Sequence, residues 1–456
     1  MTSQSAPEVV SGRAVPVLSG ARPVLGHVGS FLRDPEALLR RGYAEHGPVF
    51  GIRLGRSPVT VLLGNEYNRA VFSETDRRLS IRAAYPFFGW MFDRDFFFLG
   101  EFEEYRRQRE LILPRFRGDQ LDGYVDIMAT ETNRLIDRMG DRGELELVGA
   151  VGELVARIAA HAFLGPDLGN RITGFLRLFR QFSDGMNAFL PDWVPRPGLF
   201  RGRRARDQLR VQLLRLIEQR RRQPVDPPDF LQVLAEARFD DGEPVPDLLV
   251  INLILLLTWA GQETTTGQLA WALTDLLGHP TELARVRAEQ AAQLPADQPL
   301  TASGLRALAH LDNALHESER LHPVAYVLLR QATEPLTIGG YHLPRGGRVL
   351  ISPALSHRLP EQYPEPDAYR PDRFTPGGVP KHSLIGFGGG VHRCLGSHFA
   401  YLEMRVVVTM LLRHYELELL DEPVPVRGAG TKWPQSPCRV RYRARTQPPR
   451  AGSAAG

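Results

Sequence analysis

Phe387-Gly388-Gly389-Gly390-Val391-His392-Arg393-Cys394-Leu395-Gly396 is the stretch whose reading decides this chain. A single cysteine sits in a glycine-rich turn, and the residues behind it, Ser397 to His414, carry a helical pattern. A helix that starts just after a cysteine aims its positive end and its free N–H groups at the sulfur, which favours the thiolate. Glycines in such a turn let the backbone pass close to a large flat cofactor. A thiolate held this way suits the axial position of a haem iron, where it pushes electron density toward O–O cleavage. Taken alone, the loop also fits a buried free cysteine beside a turn, so the rest of the chain has to decide.

The chain has 456 residues, ample for a large core, with the apolar and charged content of an ordinary soluble protein. Its two cysteines, Cys394 and Cys438, give no disulfide framework, so a reducing compartment is expected. Cys438 lies in a basic, strand-like tail and reads as structural. The net charge of +4 is scattered and carried almost wholly by arginine; only Lys381 and Lys432 are lysine. The local clusters Arg201, Arg203, Arg204 and Arg206, and Arg220 to Arg222, read as solvated faces. No aromatic residues alternate with them, so no nucleic-acid partner is expected. Residues 1–21 are polar and Pro/Gly-flavoured, without the charged and apolar regions of a signal peptide, and read as a flexible segment. The longest apolar stretch, Leu248 to Gly261, is interrupted by Asn252 and Thr258. It falls short of the roughly 20 residues a bilayer span needs. The expectation is a cytoplasmic protein without a membrane anchor.

Residues 48–63 read as a β-hairpin around Gly55 and Pro58. From about 101 to 320 the pattern is mainly helical, broken at Pro166, Pro191 to Pro197, Pro224 to Pro228 and Pro280. A β-rich stretch follows around 324–352, then Pro/Gly-rich coil over 359–396, a last helix over 397–414 and C-terminal strands. No repeat or linker divides the chain. The fold class is mainly α with a smaller β part (α+β), in one unit over 22–445 with a flexible tail at 446–456.

The central helix, about 247–277, ends its apolar run in Ala260-Gly261-Gln262-Glu263-Thr264-Thr265-Thr266. Such a segment is poor helix material, and its hydroxyls can bond back to the backbone and open the ladder. An acid beside an alcohol, Glu263-Thr264, can relay protons; a buried helix with chance polar residues is the alternative. Glu317 and Arg320 share a helix face at i, i+3 and can pair, as many surface residues do.

Together these motifs resemble the cytochrome P450 family. Phe-x-x-Gly-x-x-x-Cys-x-Gly is similar to its haem loop, and Ala260-Gly261-x-Glu263-Thr264 to its oxygen-activating motif. Glu317-x-x-Arg320 followed by Tyr369-x-Pro371-x-Arg373-Phe374 is similar to its paired charge motifs. The resemblance runs from about residue 25 to 443 and implies the family's fold as a single haem-binding unit. It implies haem b with Cys394 as the iron ligand, and Glu263 and Thr264 managing protons. Ala260 and Gly261 would leave room for O₂ and substrate. Glu317, Arg320 and Arg373 would form a structural charge triad, and Arg109, Arg330 and His392 would meet the propionates. The implied activity is that of a monooxygenase, acting as a monomer, that inserts one oxygen atom from O₂ into a C–H bond. The stretch after Cys394 is too short for a flavin or nicotinamide domain, so a separate ferredoxin and ferredoxin reductase would supply electrons.

Within the family, Ala84-Tyr85-Pro86-Phe87 followed by Phe92, Arg117-Gly118-Asp119-Gln120-Leu121, Gly261-Gln262 and Ile351-Ser352-Pro353-Ala354 resemble the bacterial sterol 14α-demethylases. That likeness implies that Tyr85 adds a hydroxyl to a propionate and that Phe87 lines the substrate pocket. The chain departs from that branch at Glu263, where the branch has His, and at Asp93, where it has Gly. The expected substrate is therefore a large hydrophobic terpenoid or polyketide intermediate of secondary metabolism. The alternatives are a sterol 14α-demethylase and a haem-binding sensor or carrier without oxygenase activity.

Overall fold

The structure, a computed structural model, describes residues 12–445 except 94, 117, 166–171, 187–193, 295–297, 424 and 426–430. The expected tail at 446–456, residues 1–11 of the expected flexible segment, Arg117, and the breaks at Pro166 and Pro191 lie outside the described residues.

Among the described residues ten strands follow in chain order: β1 (Val49–Leu54), β2 (Ser57–Leu62), β3 (Leu79–Ser80), β4 (Arg142–Glu146), β5 (Leu328–Ala332), β6 (Leu336–Ile338), β7 (Tyr341–Leu343), β8 (Arg348–Ile351), β9 (Tyr415–Leu419) and β10 (Arg439–Ala444). β1 and β2 form the hairpin read over 48–63, turning at Gly55 with φ 67°. A five-stranded sheet in the order β1-β2-β8-β5-β3 places β8 parallel to β2 and antiparallel to β5. This sheet returns Arg330 on β5 to the neighbourhood of β3 and the residues just before it. β4, β10 and β9 form a second sheet, and β6 and β7 a third.

Helices make up most of the rest. The central helix, Asp247–Gly278, begins after Pro246 and ends just before Pro280, which opens the next helix at a position where its missing N–H costs nothing. It packs against the helix Leu147–Leu164, while Ile172–Asp184 packs against Pro197–Arg222. One large apolar cluster joins these helices, and two smaller ones flank the five-stranded sheet. Between its open ends the central helix is largely apolar and buried, except at Leu257 and Trp259 to Thr264, where side chains are partly or fully open.

Several expectations are corrected. The helix ladder does not open at Ala260 to Thr266: the helix is continuous from Asp247 to Gly278. Thr264 bonds back to Ala260 without interrupting it. Arg220 does not lie on a solvated face but is buried and paired with Asp229 at 2.7 Å. Within the segment expected to be flexible, Arg13 bridges Tyr341, Val17 bridges Gly51, and Leu18 is buried.

The expectations of no membrane anchor and of a cytoplasmic location are also overturned. Three segments, Leu147–Leu164, Asp247–Gly278 and Gly390–His414, are long and apolar enough to cross a membrane. The central helix continues well beyond the Leu248–Gly261 stretch on which the expectation rested. In the folded chain 61%, 50% and 72% of their apolar windows are buried.

Candidate active site

The cysteine loop is folded by its own backbone. Cys394 N–H donates to Phe387 O at 3.0 Å, Gly388 N–H to Ile385 O at 2.8 Å, and Arg393 N–H to Gly390 O at 3.2 Å. Gly388 and Gly390 take φ of 70° and 66°, which side-chain-bearing residues rarely adopt. A Cβ on Gly389 would come within 2.5 Å of the Phe72 ring, so this turn needs glycine for space as well. The helix Ser397–His414 starts three residues after the cysteine. Cys394 lies deep among neighbouring atoms, yet its side chain is exposed, as expected of a residue on the wall of an internal opening. Burial pushes its thiol up, against the pull of the Gly396 N–H and the Arg393 and Arg109 charges. Cys438 is buried with no such opening, and its thiol is pushed up to about 11 by burial.

Basic and phenolic groups gather beside this loop. Arg109 Nη1 donates to Val391 O at 2.6 Å, and Tyr105 O–H to the same carbonyl at 3.2 Å. His392 stacks on Tyr105 with ring centroids 4.2 Å apart and bonds to the Asp76 carboxylate. Arg330 is buried and donates Nε to Thr75 Oγ1 at 3.0 Å. Tyr85 accepts the Leu329 N–H at 2.9 Å, beside Arg330. Arg330 and His392 thus meet at Thr75 and Asp76, with Tyr85 beside Arg330 and Arg109 on the Val391 carbonyl next to His392. Burial weakens the hold of Arg330 on its proton, and the Tyr85 and Asp76 charges oppose that loss.

The open window of the central helix faces an aromatic cluster. Trp259 meets Phe88 edge-on at 5.3 Å, Phe88 meets Phe87 at 4.7 Å, and Phe87 meets Tyr85 at 5.6 Å. A Cβ on Gly261 would touch nothing within 4 Å, so open space lies over it, next to the partly open Ala260. Thr264, exposed to that space, donates its hydroxyl to Ala260 O at 2.6 Å. Glu263 turns the other way: Ser183 Oγ donates to its Oε1 at 3.0 Å, and Trp259 Nε1 donates to Ser183 Oγ at 3.1 Å. Burial raises the Glu263 carboxyl, the Ser183 hydrogen bond opposes this, and the Asp184 charge adds to it. Phe92 is not at this window. It is buried against Phe96 and Phe182.

Behind the loop, Arg320 uses all five of its donor directions. Nε and Nη2 grip Glu317 at 2.7 and 2.8 Å, and Nη1 and Nη2 reach the carbonyls of His357, Pro366 and Ala368 at 2.6–3.0 Å. Arg373 Nε reaches Glu317 Oε1 at 3.2 Å. The ion pair is sealed, with Glu317 and Arg320 both 0% exposed and Arg373 8%.

Residues without a recognisable motif complete the arrangement. Thr75, Asp76, Tyr105 and Ser183 gave no signal, because their roles depend on which distant segment returns beside them. Trp259 could have been found, since it precedes Glu263 by four positions on one helix face. Buried His357 accepts the Ile385 N–H at 2.8 Å and so ties the Glu317 helix region to the base of the cysteine loop.

These groups fit a haem. The donor set is right for it: an accessible cysteine at a helix start, cations and a phenol for two carboxylates, and open space over Gly261. Among the described residues no three His, Cys, Asp or Glu side chains cluster as a metal site. An iron would have to arrive with most of its ligands already in place, as in a porphyrin.

Comparison with known proteins agrees. The family model for cytochrome P450 matches residues 16–431. The sterol 14α-demethylase of Mycolicibacterium vanbaalenii is 30% identical over 95% of this chain and 99% of its own length. The lanosterol 14α-demethylase of Bos taurus is 29% identical over 97% of this chain and 90% of its own. The solved structure of a retinoic acid-bound cyanobacterial CYP120A1 superposes with a TM-score of 0.83 at 27% identity, covering 95% of this chain and all of that one. The fold, the cysteine loop and these matches together make the chain a member of the cytochrome P450 family, an oxidoreductase of the haem-thiolate monooxygenase type.

Proposed function

We propose that Cys394 ligates haem b and that the enzyme oxidises a rigid polycyclic substrate of the sterol class, in the manner of a sterol 14α-demethylase. The observation that carries this reading is the match to sterol and lanosterol 14α-demethylases over nearly the whole of both chains. Arg109, Arg330, His392 and Tyr85 would hold the haem carboxylates, each a charged or phenolic donor already gathered at one edge. When bound, the haem supplies an iron centre that activates O₂ for attack on a C–H bond.

The chain's own residues do the rest. Phe87 and its aromatic neighbours present an apolar wall that binds the substrate and keeps water from it. Ala260 and Gly261 keep the helix surface low where substrate must come close. Glu263, whose carboxyl holds its proton more tightly than an exposed one, is a proton reservoir one residue from the Thr264 hydroxyl, which faces the open space. Glu317, Arg320 and Arg373 lock the segment that leads into the cysteine loop.

A second reading is oxidation of a terpenoid or polyketide of similar size. Glu263, bonded to Ser183, favours it, since the sterol demethylases carry His there. Purified enzyme with a surrogate ferredoxin and reductase separates the two. Conversion of lanosterol to its 14-desmethyl product is the expected outcome. No sterol product, together with displacement of iron-bound water by a polycyclic terpenoid or polyketide, would replace the first reading by the second.

A further inference from the structure

The segment from Phe88 to Phe92 connects two pieces of the fold, yet it is packed like core. Phe88, Trp90, Met91 and Phe92 are all buried, Met91 completely. Met91 and Phe92 donate their N–H groups to Phe88 O at 2.9 and 3.2 Å. The segment is therefore one tight unit with the Phe88 ring, which meets Trp259 at the open window of the central helix.

Trp90 seats this unit. Its ring lies in a notch between Gly185, just after the helix Ile172–Asp184, and Gly202 in the helix Pro197–Arg222. A Cβ on Gly185 would stand 2.8 Å from the ring and 3.0 Å from the Gly202 Cα. A Cβ on Gly202 would stand 3.0 Å from the ring and 2.9 Å from the Gly185 Cα. Only a pair of glycines leaves the notch open. Phe182 meets the ring edge-on at 5.8 Å. The indole N–H has no partner among the described residues, so shape holds the ring and not a hydrogen bond.

A polar grip lies beside the notch. Arg206 and Arg210, one turn apart on the helix Pro197–Arg222, both hold the segment. Arg206 Nη1 donates to Trp90 O, and Arg210 Nη2 reaches Asp93 Oδ2 at 3.4 Å. Asn252 of the central helix, 2% exposed, donates Nδ2 to the same Asp93 oxygen at 2.5 Å and accepts from Arg210 at 3.1 Å. Asp93 thus ties the segment to two helices at once. It is also a position where the sterol demethylases carry Gly and so lack this carboxylate.

We propose that Trp90 and Asp93 are specificity-determining residues. They clasp the wall of Tyr85, Phe87 and Phe88 to the helices before any ligand arrives, and so preset the height of the space over Gly261. A flat, rigid fused-ring molecule fits beneath a fixed wall, and no binding free energy is lost to ordering it. A propeller-shaped molecule has to lift the wall and break the clasp. This inference rests on the polycyclic-substrate reading given above.

Two azoles that coordinate haem iron test it: flat 4-phenylimidazole and propeller-shaped clotrimazole, each titrated into the full, haem-loaded chain by its Soret shift. The titration reads ligand shape whether or not a sterol is turned over, so failure of the substrate reading shows separately, as absent product. Asp93→Gly should tighten clotrimazole roughly five- to tenfold and shift 4-phenylimidazole by less than about twofold, since only the bulky ligand breaks the clasp. Gly202→Ala acts from the other side by pushing on Trp90, in a helix that alanine favours, and should move the ratio of affinities the same way. Hydrogen exchange of the ligand-free enzyme gives a second readout. The Met91 and Phe92 amides should be protected like those of the central helix, and should lose on the order of tenfold in protection in Asp93→Gly. Wild-type exchange at the rate of an exposed turn would overturn the proposal, because the wall would then not be preset. So would equal tightening of both azoles, or an unchanged ratio in both variants with haem content and thermal midpoint intact.

Discussion

Glu263 and Thr264 are neighbours on one helix but face different surroundings. The acid is turned into a polar contact with Ser183 and Trp259, while the alcohol is turned toward open space. A proton can be stored at the first and presented at the second. Thr264→Ala should therefore leave the fold intact, since alanine is the better helix former and the lost hydrogen bond is to the helix's own Ala260 carbonyl. Product formation should fall roughly tenfold or more while electron-donor consumption persists. Thr264→Ser should restore much of the coupling. Equal product per electron in the wild type and Thr264→Ala would remove this hydroxyl from the mechanism. Ser183→Ala offers a milder test. It removes the one hydrogen bond that opposes the rise in the Glu263 carboxyl, so the acidity of Glu263 should weaken and any limb it controls in the rate profile should move to higher pH.

At the scale of elements, the segment leading into the cysteine loop is held by one buried carboxylate. Glu317 accepts from Arg320, from Arg373 and from the Arg370 backbone N–H at 2.8 Å. Removing it strands two guanidinium groups, one of them fully enclosed. Glu317→Ala should cost about 3–5 kcal/mol and, with it, haem incorporation. Arg373→Ala should cost less, because Arg373 keeps some solvent. Normal thermal midpoints and haem content in both variants would show that the triad is not needed. Much of this was legible in the chain. The last helix, Ser397–His414, and the hairpin at 48–63 coincide with the apolar periodicity and turn residues that announced them. The pairing of β2 with β8 was not legible, because it joins Val59 to Arg348 and no local pattern fixes such a register. That pairing helps bring Arg330 beside Thr75 and Asp76, which is why the basic edge of the site was visible only as separate arginines. The expected break at Ala260 to Thr266 failed for a related reason. Propensity argues locally, whereas packing on both sides of the central helix keeps it continuous.

For the whole molecule, acid should act through two buried sites far apart in the chain. His357 is neutral: Nε2 accepts the Ile385 N–H, which assigns the proton to Nδ1, facing Arg320 O. Burial, and then the Arg320 charge, depress it from 6.5 to about 3. The unfolded chain takes up that proton first as pH falls below 6.5, so stability declines from there toward pH 3. Glu131 sits between two helices, 1% exposed, held by Arg157 and His161 at 2.7 Å and also by Arg134. Burial would raise its carboxyl, but the hydrogen bonds from His161 and Arg157 win and bring it from 4.5 down to about 2. Its contribution is complete above 4.5 and is lost as pH falls toward 2, because the unfolded state then binds the extra proton. The thermal midpoint should therefore fall on acidification in two stages, gently below 6.5 and more steeply below 4.5. Glu131→Gln should lower stability at neutral pH by an amount on the order of 1–3 kcal/mol, since its partners keep some solvent, and should flatten the second stage. His357→Gln should flatten the first. If Glu131→Gln and the wild type lose stability in parallel between pH 4.5 and 2, the acid limb belongs to other carboxylates and the helix-bridging cluster is not its origin.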